Sequence, residues 1–164
     1  AERSIELNDL TKQMQVIQDD LKNLGRYITG SKVDMILCNP PYFKVDKQSN
    51  LNESQHYLLA RHEISTNLEE ICKIAQRVLK SNGRLAMVHR PERFLDILDT
   101  MQAHNLAPKR IQFVYPKLGK EANMLLIEAI KDGSRDGLKI LHPLFIHNQD
   151  GSYTPEIHEI YYGK

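Results

Sequence analysis

The sequence predicts an α/β fold built on a mainly parallel sheet. Three observations predict it. Short apolar runs alternate with segments of helical period. The two clearest runs, 33–38 and 84–89, flank a segment long enough for one helix. A polar loop near residue 120 then divides two further runs. Strands joined through helices form crossover units, and these lay successive strands parallel in one sheet.

Residues 1–10 read as a helix already under way, with no initiating Met and no side-chain N-cap. The chain is therefore expected to be a piece of a longer protein. Residues 14–18 form a short β-rich run that stops at Asp19-Asp20. A weak helical turn and a loop at 25–32 follow. The run Val33-Asp34-Met35-Ile36-Leu37-Cys38 is too short for a helix and predicts a buried, central strand with Leu37 in the core. Asn39-Pro40-Pro41-Tyr42 stops it. Residues 43–62 are long, polar and weakly patterned, a length at which loops in compact domains are functional or mobile.

Thr66 and Glu69 match a capping box, in which side chains satisfy free backbone N–H groups at a helix start. Leu68, Ile71, Cys72, Ala75, Val78 and Leu79 then recur at helical spacing. Asn82-Gly83 is expected to end that helix, the glycine supplying a left-handed cap. Residues 84–89 predict the next buried strand. Pro91 opens a second helix where its missing N–H costs nothing. Phe94, Leu95, Leu98 and Met101 are assigned to its core face. Runs at 111–115 and 123–130, around a loop at 117–123, predict an antiparallel hairpin. Asp150-Gly151, between Phe145-Ile146 and Tyr153, is a further hairpin signal. The chain thus reads as a single domain over 1–164, with 137–164 as a C-terminal β-hairpin extension. Tyr161-Tyr162 read as packing residues, with a platform for a base as the other reading.

The chain has 164 residues, 41% hydrophobic and 26% charged, which suits one globular domain. No run of about 18 apolar residues and no signal peptide is visible, so a soluble, cytoplasmic protein is expected. Cys38 and Cys72 lie in apolar periodic segments and read as reduced core residues. The histidines show no ligand spacing, and no metal is expected. The net charge of +1 hides an asymmetry: between Arg77 and Lys120, nine Lys or Arg face three Asp or Glu. A basic region of that kind suits an anionic partner such as RNA phosphate, or is an ordinary solvated surface.

Asn39-Pro40-Pro41-Tyr42 carries the most chemistry. An amide, two prolines and an aromatic ring at the carboxyl end of a strand make a rigid, polar edge with a π face. Such an edge holds a flat base or amide beside a reactive group, at the end of an α/β sheet where ligands bind.

The order strand, N-P-P-Y, capped helix, N-G turn, strand, helix, antiparallel strand pair resembles the later part of a class I S-adenosylmethionine-dependent methyltransferase. The tetrad is similar to the catalytic motif of the branch that methylates adenine N6, cytosine N4 or glutamine N5. Residues 39–44 (N-P-P-Y-F-K), 60–64 (A-R-H-E-I) and 150–155 (D-G-S-Y-T-P) point more narrowly to the bacterial tRNA adenine-N6 methyltransferases that act on an anticodon-loop adenine of a valine tRNA. The chain resembles their C-terminal two-thirds. The resemblance implies a Rossmann-like sheet, S-adenosyl-L-methionine as cofactor and tRNA as substrate. Glutamine-N5 methylation of a protein, or a non-catalytic RNA-binding fragment, are the alternative readings.

The resemblance also implies roles. Asn39, Pro40, Pro41 and Tyr42 would be catalytic: the Asn39 side-chain carbonyl and the Pro40 backbone carbonyl accept hydrogen bonds from the amine, and Tyr42 stacks on the base. Asp20, with Asp19 as alternate, would bind the cofactor adenine; either residue could instead cap the turn that follows. Asn39 would also adjoin the cofactor. Tyr42, Phe43, Lys44, Arg90, Lys117 and Lys120 would meet the substrate, with core packing the other reading for Phe43. For Arg90 a surface salt bridge is the other reading, and for the lysines a solvated loop. The family's glycine-rich cofactor loop and the acidic residue after its second strand have no counterpart here. Weak cofactor binding and unpaired strand edges are therefore expected of this chain alone.

Overall fold

The structure, a computed structural model, describes residues 1–40 and 68–163. A short helix, α1 (Glu2–Leu7), opens the chain, and a 3₁₀ turn spans Leu21–Arg26. Strand β1 (Val33–Cys38) follows, then helix α2 (Leu68–Val78), strand β2 (Leu79–His89) and helix α3 (Phe94–Ala103). Strands β3 (Leu106–Lys117) and β4 (Met124–Lys131) form the hairpin that the sequence predicts. The tail supplies β5 (Lys139–Ile140), β6 (Leu144–His147) and helix α4 (Pro155–Tyr162).

The sheet runs β1-β2-β4-β3-β5, and β6 joins β3 beside β5. It is mixed and open. The pairs β1–β2, β3–β5 and β3–β6 are parallel; β2–β4 and β4–β3 are antiparallel. The α2 and α3 helices cover one face. Leu85 and Met87 of β2, Ile111 of β3, and Leu125, Ile127 and Ala129 of β4 meet Cys72, Ala75, Ile97 and Met101 there. On the opposite face, Ile157 of α4 packs with Val114 and Leu144 at one end. No helix among the described residues is long and apolar enough to cross a membrane.

Several sequence expectations change. Residues 33–38 do form a strand, but β1 pairs only with β2 and is an edge of the described sheet. Leu37 is 77% exposed, not core: it lies on the face opposite the one that α2 and α3 cover. Residues 14–18 carry no strand; among the described residues no strand meets their backbone. The helix expected to end at Asn82-Gly83 ends four residues sooner, and β2 follows without a linker. Its last carbonyls are satisfied from elsewhere: Ser31 donates to Arg77, the Lys32 N–H to Val78, and the Lys131 ammonium to Leu79 at 2.7 Å. A terminal glycine is therefore not needed to satisfy that end.

Asn82-Gly83 instead forms a bulge. Val33 pairs with Leu79 and Met35 with Arg84, so β2 carries extra residues between them. Asn82 takes the left-handed conformation at φ 64°. Gly83 lets the chain close up, since a Cβ there would lie 2.8 Å from the Lys80 carbonyl oxygen. In α3, Leu95 is 72% exposed and Ile97 fully buried. The packed face is Phe94, Ile97, Leu98 and Met101, the i, i+3, i+4, i+7 stripe from which Leu95 falls out. The tail turns back at Asp150-Gly151 for a single antiparallel bridge, His147 to Tyr153, before α4 begins. The capping-box Thr66 lies outside the described residues.

Candidate active site

Strand register gathers the site at one end of the sheet. Cys38 pairs with Met87 in parallel, so continuing the register sets Asn39 beside Val88 and Pro40 beside His89. His89 in turn faces Leu125 of β4, and Met124 faces Val114 of β3. The strands β1, β2, β3 and β6 all point the same way and end here, at Asn39, Arg90, Lys117 and His147. From β1 to β6 the edge crosses four strand spacings, about 19 Å at about 4.8 Å each. Lys117 lies three residues past Val114, so the β3–β6 pair rises about 10 Å above the floor of the edge and walls one side.

Asn39 is exposed and Pro40 is buried at the end of β1. The residue before a proline is confined to extended backbone, which holds Asn39 at the strand end. Pro41, Tyr42, Phe43 and Lys44 lie outside the described residues. A cavity of about 490 Å³ opens beneath Asn39 on the sheet face opposite α2 and α3, lined among others by Leu37, Val88, Gln112, Leu126 and Glu128. Glu128 is paired there with Arg84 at 2.9 Å.

Below the edge, His89 is buried, and its Nδ1 accepts the Arg90 backbone N–H at 2.8 Å. Burial pushes its pKa down, and the Arg93 charge adds to that. The ring is thus held neutral, with its proton on Nε2. The Arg90 guanidinium donates to the Asn123 carbonyl at 3.3 Å. That carbonyl sits at the base of the β3–β4 loop, which carries Lys117 and Lys120.

The two aspartates separate by what they already hold. Asp19 already accepts three hydrogen bonds: Oδ1 from the Asp20 N–H and Asn23, and Oδ2 from the Tyr27 hydroxyl at 2.8 Å. The Asn23 and Tyr27 hydrogen bonds hold its carboxyl below the usual range. Asp20 caps the 3₁₀ turn through Oδ1, which accepts the Lys22 N–H at 2.9 Å. Capping is therefore real for Asp20, yet its other oxygen carries no hydrogen bond among the described residues and can accept from an exocyclic amine.

Lys117 and Lys120 line a cleft with Gly119, Glu121, His147 and Gly151. His147 Nδ1 approaches the Pro116 carbonyl at 3.3 Å, and Gln149 donates to the Leu118 carbonyl. The tail turn is thus docked on the lysine loop. Sequence reasoning missed His147 because it stands alone in the sequence. Its even spacing with Phe145 in a short strand before a D-G turn was the available signal. Among the described residues no cluster of His, Cys, Asp or Glu could hold a metal ion.

This open mixed sheet, with its polar strand end after β1, has the Rossmann-like fold of class I methyltransferases. A predicted O-methyltransferase from Agrobacterium tumefaciens superposes on 99% of the chain and 70% of its own length, at a TM-score of 0.74 and 22% identity. A putative DNA modification methylase from Thermus thermophilus, complexed with S-adenosyl-L-methionine, covers 73% of the chain and 54% of its own at a TM-score of 0.50 and 13% identity.

By sequence the chain is a homologue of bacterial proteins named tRNA1(Val) (adenine(37)-N6)-methyltransferase. The Porphyromonas gingivalis protein is 30% identical over 135 residues, 82% of this chain and 52% of that protein. The Parabacteroides distasonis protein is 28% identical over 130 residues, 78% and 52% of the two chains. The chain spans about half the length of the curated relatives it matches. No protein-family model matches it.

Proposed function

We propose that this chain carries the catalytic strand end of an S-adenosyl-L-methionine-dependent methyltransferase that methylates adenine N6 in tRNA. The observation that carries the reading is Asn39-Pro40 placed where β1 ends, at the edge shared with β2 and β3, as the start of the N-P-P-Y tetrad. The names of the relatives support adenine in a valine tRNA as the target. The basic stretch 77–120 favours RNA over a protein glutamine, since phosphate rewards clustered Lys and Arg. A tRNA-modifying role places the working protein in the cytoplasm.

An adenine amine is a poor nucleophile because its lone pair is delocalised into the ring. The cofactor supplies an electrophilic methyl group on a sulfonium. The chain's residues supply position and charge. The Asn39 carboxamide oxygen and the Pro40 carbonyl accept the two amine hydrogens, turn the lone pair toward the methyl group and favour the positive charge that develops on nitrogen. In this reading Tyr42, Phe43 and Lys44 are assigned to the substrate base. Asp20, through its uncommitted oxygen, fits the cofactor's adenine amine; Asp19, which already accepts three hydrogen bonds, is the alternate. Unpaired RNA suits such a site, since the base must leave its stack.

The test is transfer of a labelled methyl group from the cofactor to bulk tRNA, with nuclease digestion to identify the product. N6-methyladenosine supports the reading. Label in protein and none in RNA overturns it.

A further inference from the structure

A second surface adjoins the site. Five rings form a continuous chain across the tail: His147 stacks on Tyr153 at 5.2 Å, Tyr153 meets Tyr161 at 5.5 Å, Tyr161 meets Tyr162 at 6.2 Å, and Tyr162 meets His158 at 4.8 Å. Buried rings in such a chain would need no explanation. These are open instead: Tyr161 is 61% exposed and Tyr162 is 67% exposed. The helix that presents them is held firmly. Thr154 caps α4 and donates its hydroxyl to the Phe145 carbonyl at 2.7 Å, and Ile157 is buried against Val114 and Leu144. The packing reading drawn from sequence therefore fails for Tyr161-Tyr162: Ile157 anchors the helix, and the tyrosines point outward.

We propose that this aromatic ladder is a stacking platform for unpaired RNA bases that flank the target nucleotide; the proposal rests on the RNA reading above. Charge fixes the division of labour. Lys117 and Lys120 stand in the cleft next to His147, so phosphates belong at the lysine loop. The α4 segment itself carries Glu156 and Glu159 and no Lys or Arg, so it disfavours phosphate and suits neutral base faces. His147 sits in both, lining the lysine cleft and starting the ladder. Its strand ends at the same sheet edge as Asn39, so one loop could lie on the platform and reach the edge. Stacking on aromatic rings is tolerant of sequence, because every base has a π face.

The chain has no tryptophan, so tyrosine emission can be followed, and the quenching lost in Tyr161→Ala and Tyr162→Ala is the part that belongs to the ladder. The probes are an RNA hairpin with an unpaired loop and a blunt RNA duplex of equal length. The hairpin is expected to quench tyrosine emission of the unaltered protein, and the duplex to leave it unchanged. Tyr161→Ala and Tyr162→Ala should each weaken hairpin binding about 5- to 10-fold with duplex binding unchanged, while Tyr161→Phe and Tyr162→Phe keep wild-type affinity. Hairpin affinity that ignores both alanine changes, yet falls with Lys117→Ala, overturns the platform and leaves the RNA reading standing. An unaltered protein that binds neither RNA overturns both. A dimer that dissociates on Tyr161→Ala, with RNA binding unchanged, makes the ladder a face between copies and overturns the platform.

Discussion

At the residue scale, the site depends on what each polar atom already holds. Asn39 is exposed at the strand end beside a buried proline, and in the proposed role its loss should cost chemistry more than affinity. Asn39→Ala is expected to lower kcat about 100-fold or more, with tRNA Kd changed less than about 3-fold. Equal losses in single-turnover rate and binding would remove the role assigned to it. His89 makes a pH prediction. Its folded pKa is depressed below the ordinary 6.5, so between those values the unfolded chain binds more protons than the folded one. The contribution of this group to stability is full above pH 6.5 and is lost as pH falls through 6.5 toward the folded value. Urea midpoints measured from pH 7.5 to 5.5 should fall, and His89→Gln should flatten that decline. Asp20 and Asp19 look interchangeable in sequence. Only the hydrogen bonds of Asn23 and Tyr27 tell them apart, and neither partner is visible from spacing alone.

At the element scale, period was a good guide and burial a poor one. The α2 stripe of Ile71, Cys72, Ala75 and Val78 was readable, because a helix repeats its inward face on its own. Leu95 was misassigned because it neighbours Phe94 in sequence but sits about a quarter-turn away around the helix. Ile97→Ala should therefore cost about 3 kcal/mol, and Leu95→Gln about 0.5 or less, by chemical denaturation. The fate of β1 could not be read, since an apolar run does not state which neighbours cover it. Neither could the bulge: N-G signals a turn, and the structure uses it inside a strand. Gly83→Ala puts a methyl carbon 2.8 Å from a backbone oxygen and should destabilise by about 1–3 kcal/mol. A wild-type melting curve for that variant would mean that the bulge yields without strain.

At the scale of the whole molecule, the sheet sorts functions by strand. The fold class was legible because strand and helix alternate over most of the chain. The strand-end site was legible because the tetrad interrupts a strand. The aromatic ladder was not, because it is assembled from β6, a turn and a helix that meet only in three dimensions. If the lysine loop carries phosphates, Lys117→Ala and Lys120→Ala should each lower the slope of log affinity against log salt by about 0.7 to 0.9. Titrations of one RNA at several salt concentrations measure that slope directly. An unchanged slope would take the lysines out of the interface.

The contact between the Arg90 guanidinium and the Asn123 carbonyl has a thermodynamic consequence. It ties the end of β2, beside Asn39, to the root of the loop that carries Lys117 and Lys120. A ligand that orders the loop through this contact should also order the strand end, and the reverse should then hold by the same factor, because linkage between binding sites is reciprocal. Cofactor and tRNA should then raise each other's affinity equally. Arg90→Ala should erase that mutual gain while leaving each ligand able to bind alone.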